Sequence, residues 1–422
     1  MLAVFQLLAV AQQTLSDGTT MRVTVGIVSL VAVTAVAMNI RRRSQVESVA
    51  DGSKPVYAYR GGPNPDLPED PWAHLSLAKI DRVLYWFSCE EGVKGQDEAI
   101  EVLRDELYMA RARLSGAASG ISTKPKIVLF FAGPTGVGKT ITAQKLAKFL
   151  FGTENRFLRL DMTEFKEEHT FHKLVGAPPS YVGYNQGGLL TNAVRATPHL
   201  VVLVDEVEKA HPKVLDLFLQ ILDHGHLTDG RGQTVSFSET AIIFTSNLGT
   251  RTEDGRGKDV GERARLEQVM RIKDPDLRKT GIREHFVRAV ERFFTHEISR
   301  PELLNRIGDN IIPFNFVDNA EIQKEVVRSI LMRLKEHVEQ EYSKAGQSIE
   351  FSDKIPSFIV DKESEAINEF GARRITHAIR QEVLRPLAPA LLRAEQAGRG
   401  HRLFSVVVSM DGMRLEVEET ER

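Results

Sequence analysis

The sequence predicts an α/β fold built around a parallel sheet, and three apolar runs that each end in polar residues predict it. The first, Lys126–Ala132, leads directly into Gly133-Pro134-Thr135-Gly136-Val137-Gly138-Lys139-Thr140. The second, His199–Val204, ends in Asp205-Glu206, and the third, Ala241–Thr245, ends in Ser246-Asn247. Continuous rather than alternating apolar runs suit strands buried on both faces of a sheet.

Taken from the amino end, the chain first suggests a membrane. Val23–Ile40 holds no charged residue and stops at Arg41-Arg42-Arg43. As a helix it reaches about 27 Å, against a hydrocarbon core of about 30 Å. Cations resist translocation, so the expectation is one transmembrane helix at 23–40 within an anchor region 1–43, with the rest of the chain cytoplasmic. A buried helix or valine-rich strand is the alternative. Met1–Ala11 is a second apolar run, too short to span. Residues 44–78 read as a linker, because Gly, Pro, Ser and Asp dominate as far as Pro71.

Composition excludes little but excludes it firmly. With 55 Lys+Arg against 57 Asp+Glu in 422 residues, net charge gives no case for nucleic acid. A hydrophobic fraction of 42% rules out wholesale disorder. The single cysteine, Cys89, excludes an intrachain disulfide and a cysteine-based zinc site.

Gly133–Thr140 matches the phosphate-binding loop in every spacing and sits where it should, between an apolar strand and the helically periodic Ile141–Leu150. The glycines let backbone N–H groups wrap phosphates at a helix amino terminus. Lys139 is expected to neutralise the β- and γ-phosphates of ATP, and the Thr140 hydroxyl to hold Mg²⁺. Asp205 is expected on the Mg²⁺ water shell and Glu206 beside the attacking water. The alternative for Asp205 is a helix N-cap. Asn247 is placed to orient that water, with turn chemistry as its alternative.

These residues resemble the Clp class of AAA+ ATPases, most closely the second ATPase module of ClpB-type disaggregases. The resemblance runs from about Glu91 to Val417. Gly95–Ile100 resembles the entry segment, which implies that Val93 and Lys94 lie against adenine. Gly176–Tyr184 resembles the substrate-gripping pore loop, with Tyr181 as its aromatic paddle followed by Val182 and Gly183. Asp205–Pro212 is nearly the family's acidic strand-end signature, and Leu227–Gly232 resembles the hairpin before the first sensor, Asn247. Arg300–Ile307 resembles the segment that carries the arginine finger, here Arg306, and Gly371-Ala372-Arg373 matches the second sensor, Arg373.

The resemblance implies a large α/β domain over 79–312, a small α+β domain over 313–422, nucleotide between them, and a homo-oligomeric ring of six that threads protein substrates. Departures qualify this. No second ATPase module, globular amino-terminal domain or heptad-rich coiled coil is present. Ser180 replaces the usual glycine before the paddle, and Arg374 the proline after the second sensor. Gly249–Phe286 is charge-rich, reads as a solvated surface loop, and lacks the apolar tripeptide by which peptidase-coupled members dock. The function expected is a membrane-tethered, ATP-driven unfoldase; delivery of substrates to a Clp-like peptidase is the alternative, and a peptidase partner is disfavoured. A nucleotide-switched scaffold is disfavoured by the presence of Glu206 and Arg306, and nucleic-acid remodelling by the charge balance.

Overall fold

All three apolar runs form parallel strands of one sheet. In this computed structural model the described residues are 70–115, 123–179, 187–250, 261–342, 346–397, 402–409 and 413–421. The first run is β1 (Ile127–Ala132), followed by β2 (Phe157–Asp161), the second run β3 (Val201–Asp205), a short hairpin of β4 (His226–Thr228) and β5 (Thr234–Ser236), the third run β6 (Ala241–Ser246), and β7 (Ile311–Pro313). The sheet order is β2-β3-β6-β1-β7, every neighbouring pair parallel. Ala132 sits opposite Ser246 and Asp161 opposite Asp205, so the polar ends of β1, β3 and β6 share the carboxyl edge of the sheet. Ligands of open α/β sheets bind at that edge.

Alternation along β1 divides the core. Ile127, Leu129 and Phe131 pack on one face with the Asp97–Arg111 and Lys139–Phe151 helices; Phe130 and Ala132 pack on the other with the Pro212–His224 helix. Beyond β7 comes the 22-residue helix Ala320–Glu341, capped by Asn319, whose side chain accepts from the Glu321 and Ile322 N–H groups. Helices Ile355–Phe370, Ala372–Ile379 and Arg385–Ala397 follow, with a second sheet ordered β10-β9-β8 from β8 (Gln347–Phe351), β9 (Arg402–Val408) and β10 (Leu415–Glu421). This is an α+β carboxy-terminal part.

Three expectations are altered here. The single-pass membrane localisation, with a transmembrane helix at Val23–Ile40 and a cytoplasmic ATPase, is corrected: among the described residues no helix is long and apolar enough to cross a membrane. The longest, Ala320–Glu341, carries charge along its whole length. Residues 1–69, including the 23–40 segment, lie outside the described residues.

The linker expected to continue to residue 78 instead docks at its end. Trp72 and Leu75 are buried, the Trp72 ring lies edge-on to Phe151 with centroids 5.9 Å apart, and its indole N–H donates to the Glu239 carbonyl at 3.3 Å. Two large apolar side chains just after Pro71 are enough to outweigh the linker composition before them.

The charge-rich stretch is not simply a loop. Residues 251–260 lie outside the described residues, but Glu262–Met270 and Pro275–Arg292 form two helices packed on each other, the second lying against β1 and β7. Leu266, Ile282, Phe286, Val290 and Phe293 are buried in the second core cluster. The last four recur every three or four residues, a helical stripe overlooked beneath the charges.

Candidate nucleotide-binding site

The loop after β1 closes tightly on the sheet. At Gly133, with φ +147°, a Cβ would lie 2.8 Å from the Phe314 carbonyl oxygen, so only glycine lets the chain leave the strand there. The Lys139–Phe151 helix begins at once, and Thr140 lies in its first turn, on the wall of the cleft above the sheet.

Lys139 is buried, and its ammonium donates to the Gly133 and Pro134 carbonyls at 2.6 and 2.7 Å and to Asn247 Oδ1 at 3.0 Å. Burial lowers its pKa from 10.5 to about 8, against the opposing pull of Glu208 and Asp205. The lysine and the amide, 108 residues apart, thus meet at the carboxyl edge of the sheet.

The acidic pair is held by groups the sequence reading did not single out. Asp205 Oδ2 accepts from Arg159 of β2, Nε at 2.8 Å and Nη2 at 2.6 Å, while Oδ1 accepts from the Thr245 hydroxyl. That hydroxyl in turn accepts from the Glu206 N–H at 3.1 Å. Glu206 stands in the left-handed region, φ +58° and ψ +55°, a strained conformation for a non-glycine residue that turns its side chain toward the cleft. Its Oε1 accepts from Asn247 Nδ2 at 3.4 Å, and Glu208 Oε1 accepts from the Asn247 N–H at 3.1 Å. One threonine therefore links both acids. Its only signal in the sequence is a hydroxyl near the tip of an otherwise apolar strand.

The carboxy-terminal part closes the cleft. The Ala372 N–H donates to the Gly136 carbonyl at 2.9 Å. Arg373 lines a cavity of about 220 Å³ together with Thr135, Gly136, Lys139, Thr140, Asp205, Glu206 and Asn247. Next to it lies a more apolar cavity of about 400 Å³, with Val93 and Lys94 on its wall beside Val137, Ile141, Val317 and Ile330. Gly138, Ile141, Ala372 and Thr376 border both. Buried Gln96 ties the Val93–Lys94 segment to the phosphate loop, donating to the Val137 carbonyl at 3.2 Å and accepting from the Asn315 N–H at 2.8 Å. An apolar slot joined to a cleft with one buried ammonium, a second cation and paired carboxylates fits a nucleoside triphosphate with its Mg²⁺.

One expected group stands apart from this cleft, and another is not among the described residues. Arg306, at the end of the Pro301–Ile307 helix, is half exposed, pairs with Asp223, and lines neither cavity. Tyr181, Val182 and Gly183 fall within 180–186, outside the described residues. The described flanks of that segment meet: a Cβ on Gly176 would lie 3.1 Å from the Gly187 carbonyl carbon and the Gly188 nitrogen.

Comparison with known proteins agrees with this architecture. Residues 124–310 match the family described as AAA domain (Cdc48 subfamily), and residues 322–403 match the C-terminal, D2-small domain, of ClpB protein. The chaperone protein ClpB of Vibrio vulnificus is 39% identical over 316 residues, 75% of this chain and 32% of that protein. Heat shock protein 100 of Trypanosoma brucei brucei is 38% identical over 303 residues, 72% of this chain and 31% of that protein. The ClpB of Aquifex aeolicus is 39% identical over 303 residues, 72% of this chain and 27% of that protein. The chain spans about a third of the length of the curated relatives it matches.

Proposed function

Since the chain belongs to the AAA+ ATPases of the ClpB family, we propose that it hydrolyses ATP to remodel protein substrates, as one subunit of a homo-oligomeric ring of six. The observation that carries the reading is the convergence of Lys139, Asp205, Glu206, Asn247 and Arg373 on one cleft bordered by an apolar slot. The division into a large domain, 79–312, and a small domain, 313–422, belongs to the same proposal, with nucleotide between the two.

Each group has a role that its surroundings support. Val93 and Lys94 would flank the base. Backbone N–H groups over Gly133–Thr140 would wrap the phosphates, with Lys139 leaving its carbonyl partners to neutralise them. Thr140 and Asp205 would hold Mg²⁺, which supplies charge neutralisation on the phosphoryl oxygens. Glu206, oriented by Asn247, would accept a proton from the attacking water, and Arg373 would bring the carboxy-terminal part onto the phosphates. Arg306 lies outside the cleft of its own chain, which supports its acting in the cleft of a neighbouring subunit, where an arginine stabilises charge on the transferred group.

Gripping of substrate is assigned to Tyr181. An aromatic ring can wedge between side chains of almost any extended polypeptide, so grip comes with little sequence preference. The test separates hydrolysis from work. Glu206→Gln should bind ATP and fail to turn it over, and Lys139→Ala should lose binding. Tyr181→Ala should keep most ATPase activity and lose unfolding of a stably folded reporter, with Tyr181→Phe retaining it. Wild-type turnover by Glu206→Gln would refute the hydrolytic assignment; full unfolding by Tyr181→Ala would refute the remodelling one.

A further inference from the structure

The helices Glu262–Met270 and Pro275–Arg292 have no role in the function so far described, yet they hold the turn that carries Asn247. After β6 the chain folds through Asn247-Leu248-Gly249-Thr250, where the Thr250 hydroxyl donates to the Asn247 carbonyl at 2.6 Å and the Leu248 N–H to Ser246 Oγ at 2.9 Å. Two residues past Asn247, both backbone polar atoms of Gly249 are taken by side chains from the helical pair. The Gly249 N–H donates to Glu262 Oε2 at 3.0 Å, and the Gly249 carbonyl lies 2.7 Å from His285 Nε2. A carbonyl can only accept, so Nε2 of His285 carries the hydrogen.

Both side chains are buried, 5% exposed at Glu262 and 6% at His285. Glu262 is fixed from behind by Arg292, Oε1 to Nη2 at 2.7 Å, and Arg292 also reaches Glu297 at 3.2 Å. Gly249 has φ +83°, and a Cβ there would lie 3.0 Å from His285 Nε2 and from Phe286 Cδ1. The glycine admits the helix to hydrogen-bonding distance of the backbone. With the Asn247 N–H held by Glu208, the turn is tied on both sides of the amide that contacts Lys139 and Glu206.

We propose that Glu262 and His285 are positioning residues for hydrolysis, gripping Gly249 so that the Asn247 side chain stays aimed between Lys139 and Glu206. This rests on the reading of Asn247 as a group that faces the reacting phosphate and water. The charge-rich stretch thereby becomes a lever on the catalytic cleft: a displacement of the two helices reaches Asn247 through two hydrogen bonds.

The test is steady-state ATPase kinetics on the full chain, with thermal melting of each variant to confirm folding. Glu262→Ala and His285→Ala should each lower kcat about tenfold, the effect of a hydrogen bond or two, with KM nearly unchanged. Glu262→Gln keeps an acceptor for the Gly249 N–H and should recover most of kcat, which a purely electrostatic role would not allow. Gly249→Ala, which leaves the helices intact and pushes the turn off His285, should give the same loss and serves if the Glu262→Ala chain does not fold. In an Asn247→Ala background, Glu262→Ala should lower kcat no further, because the group it positions is gone. Equal losses in the two backgrounds, or unchanged kcat in Glu262→Ala, His285→Ala and Gly249→Ala, would overturn the inference while leaving the reading of Asn247 in place. Unchanged kcat in Asn247→Ala itself would overturn that reading and the inference with it.

Discussion

A buried ammonium is the residue that governs how this site answers to pH. Lys139 titrates at about 8 rather than 10.5, because burial opposes the charged form. In the role proposed for Lys139 only the charged form neutralises phosphate, so nucleotide binding above pH 8 should take up a proton. Affinity should therefore be full below pH 8 and fall by about tenfold per unit above it. Calorimetric titration near pH 9 in buffers of different ionisation heat checks this, with about one proton taken up per ATP; affinity independent of pH between 7.5 and 9.5 would contradict it. Stability responds in the opposite direction. Between about 8 and 10.5 the unfolded chain binds the proton that the folded chain has lost, so this lysine's unfavourable contribution is fully present below pH 8 and is relieved as pH rises through that window.

At the scale of elements, the segment just before the first helix is more consequential than its composition suggests. Trp72 packs edge-on against Phe151 and bonds the Glu239 carbonyl, joining the start of the described chain to the turn just before β6. Trp72→Ala should cost about 3–5 kcal/mol, the usual range for a buried tryptophan. A chain beginning at residue 70 should melt like the full chain and one beginning at residue 79 should melt lower, as measured by circular dichroism. Equal melting temperatures would place the boundary at 79 after all. The same edge holds Asp70, His199 and Glu239 within reach of one another, but Arg113 pairs with Asp70 at 2.7 Å and Lys126 with Glu239 at 3.3 Å, so the cluster is an ion-pair network at the amino end of the sheet.

At the scale of the whole molecule, the two arginines are placed differently with respect to the cleft. Arg373 enters from the carboxy-terminal part of the same chain, whereas Arg306 is turned away toward Asp223. If Arg306 is the arginine finger proposed above, Arg306→Ala should bind ATP normally and hydrolyse it about 10³-fold more slowly. Mixing inactive Arg306→Ala and Glu206→Gln subunits should restore partial turnover, since some interfaces then pair an intact Glu206 with an intact Arg306. Full, concentration-independent turnover by a monomer would contradict action between subunits.

The sequence by itself determined the parts whose chemistry is local: the phosphate loop between strand and helix, the acids and the amide at strand ends, and the α/β class. Loop geometry and apolar runs are set by neighbours along the chain, so spacing alone exposes them. It did not reveal that Thr245 bridges Asp205 and Glu206, that Arg159 holds Asp205 from the next strand, or that Gln96 ties the Val93–Lys94 segment to the glycine-rich loop. Those contacts depend on strand order and register, which no single segment encodes. It also misjudged residues 261–286, where surface charge hid a buried helical stripe. Tertiary structure decided these matters because a hydrogen bond between residues tens or hundreds of positions apart exists only once the sheet has brought its strand ends to one edge.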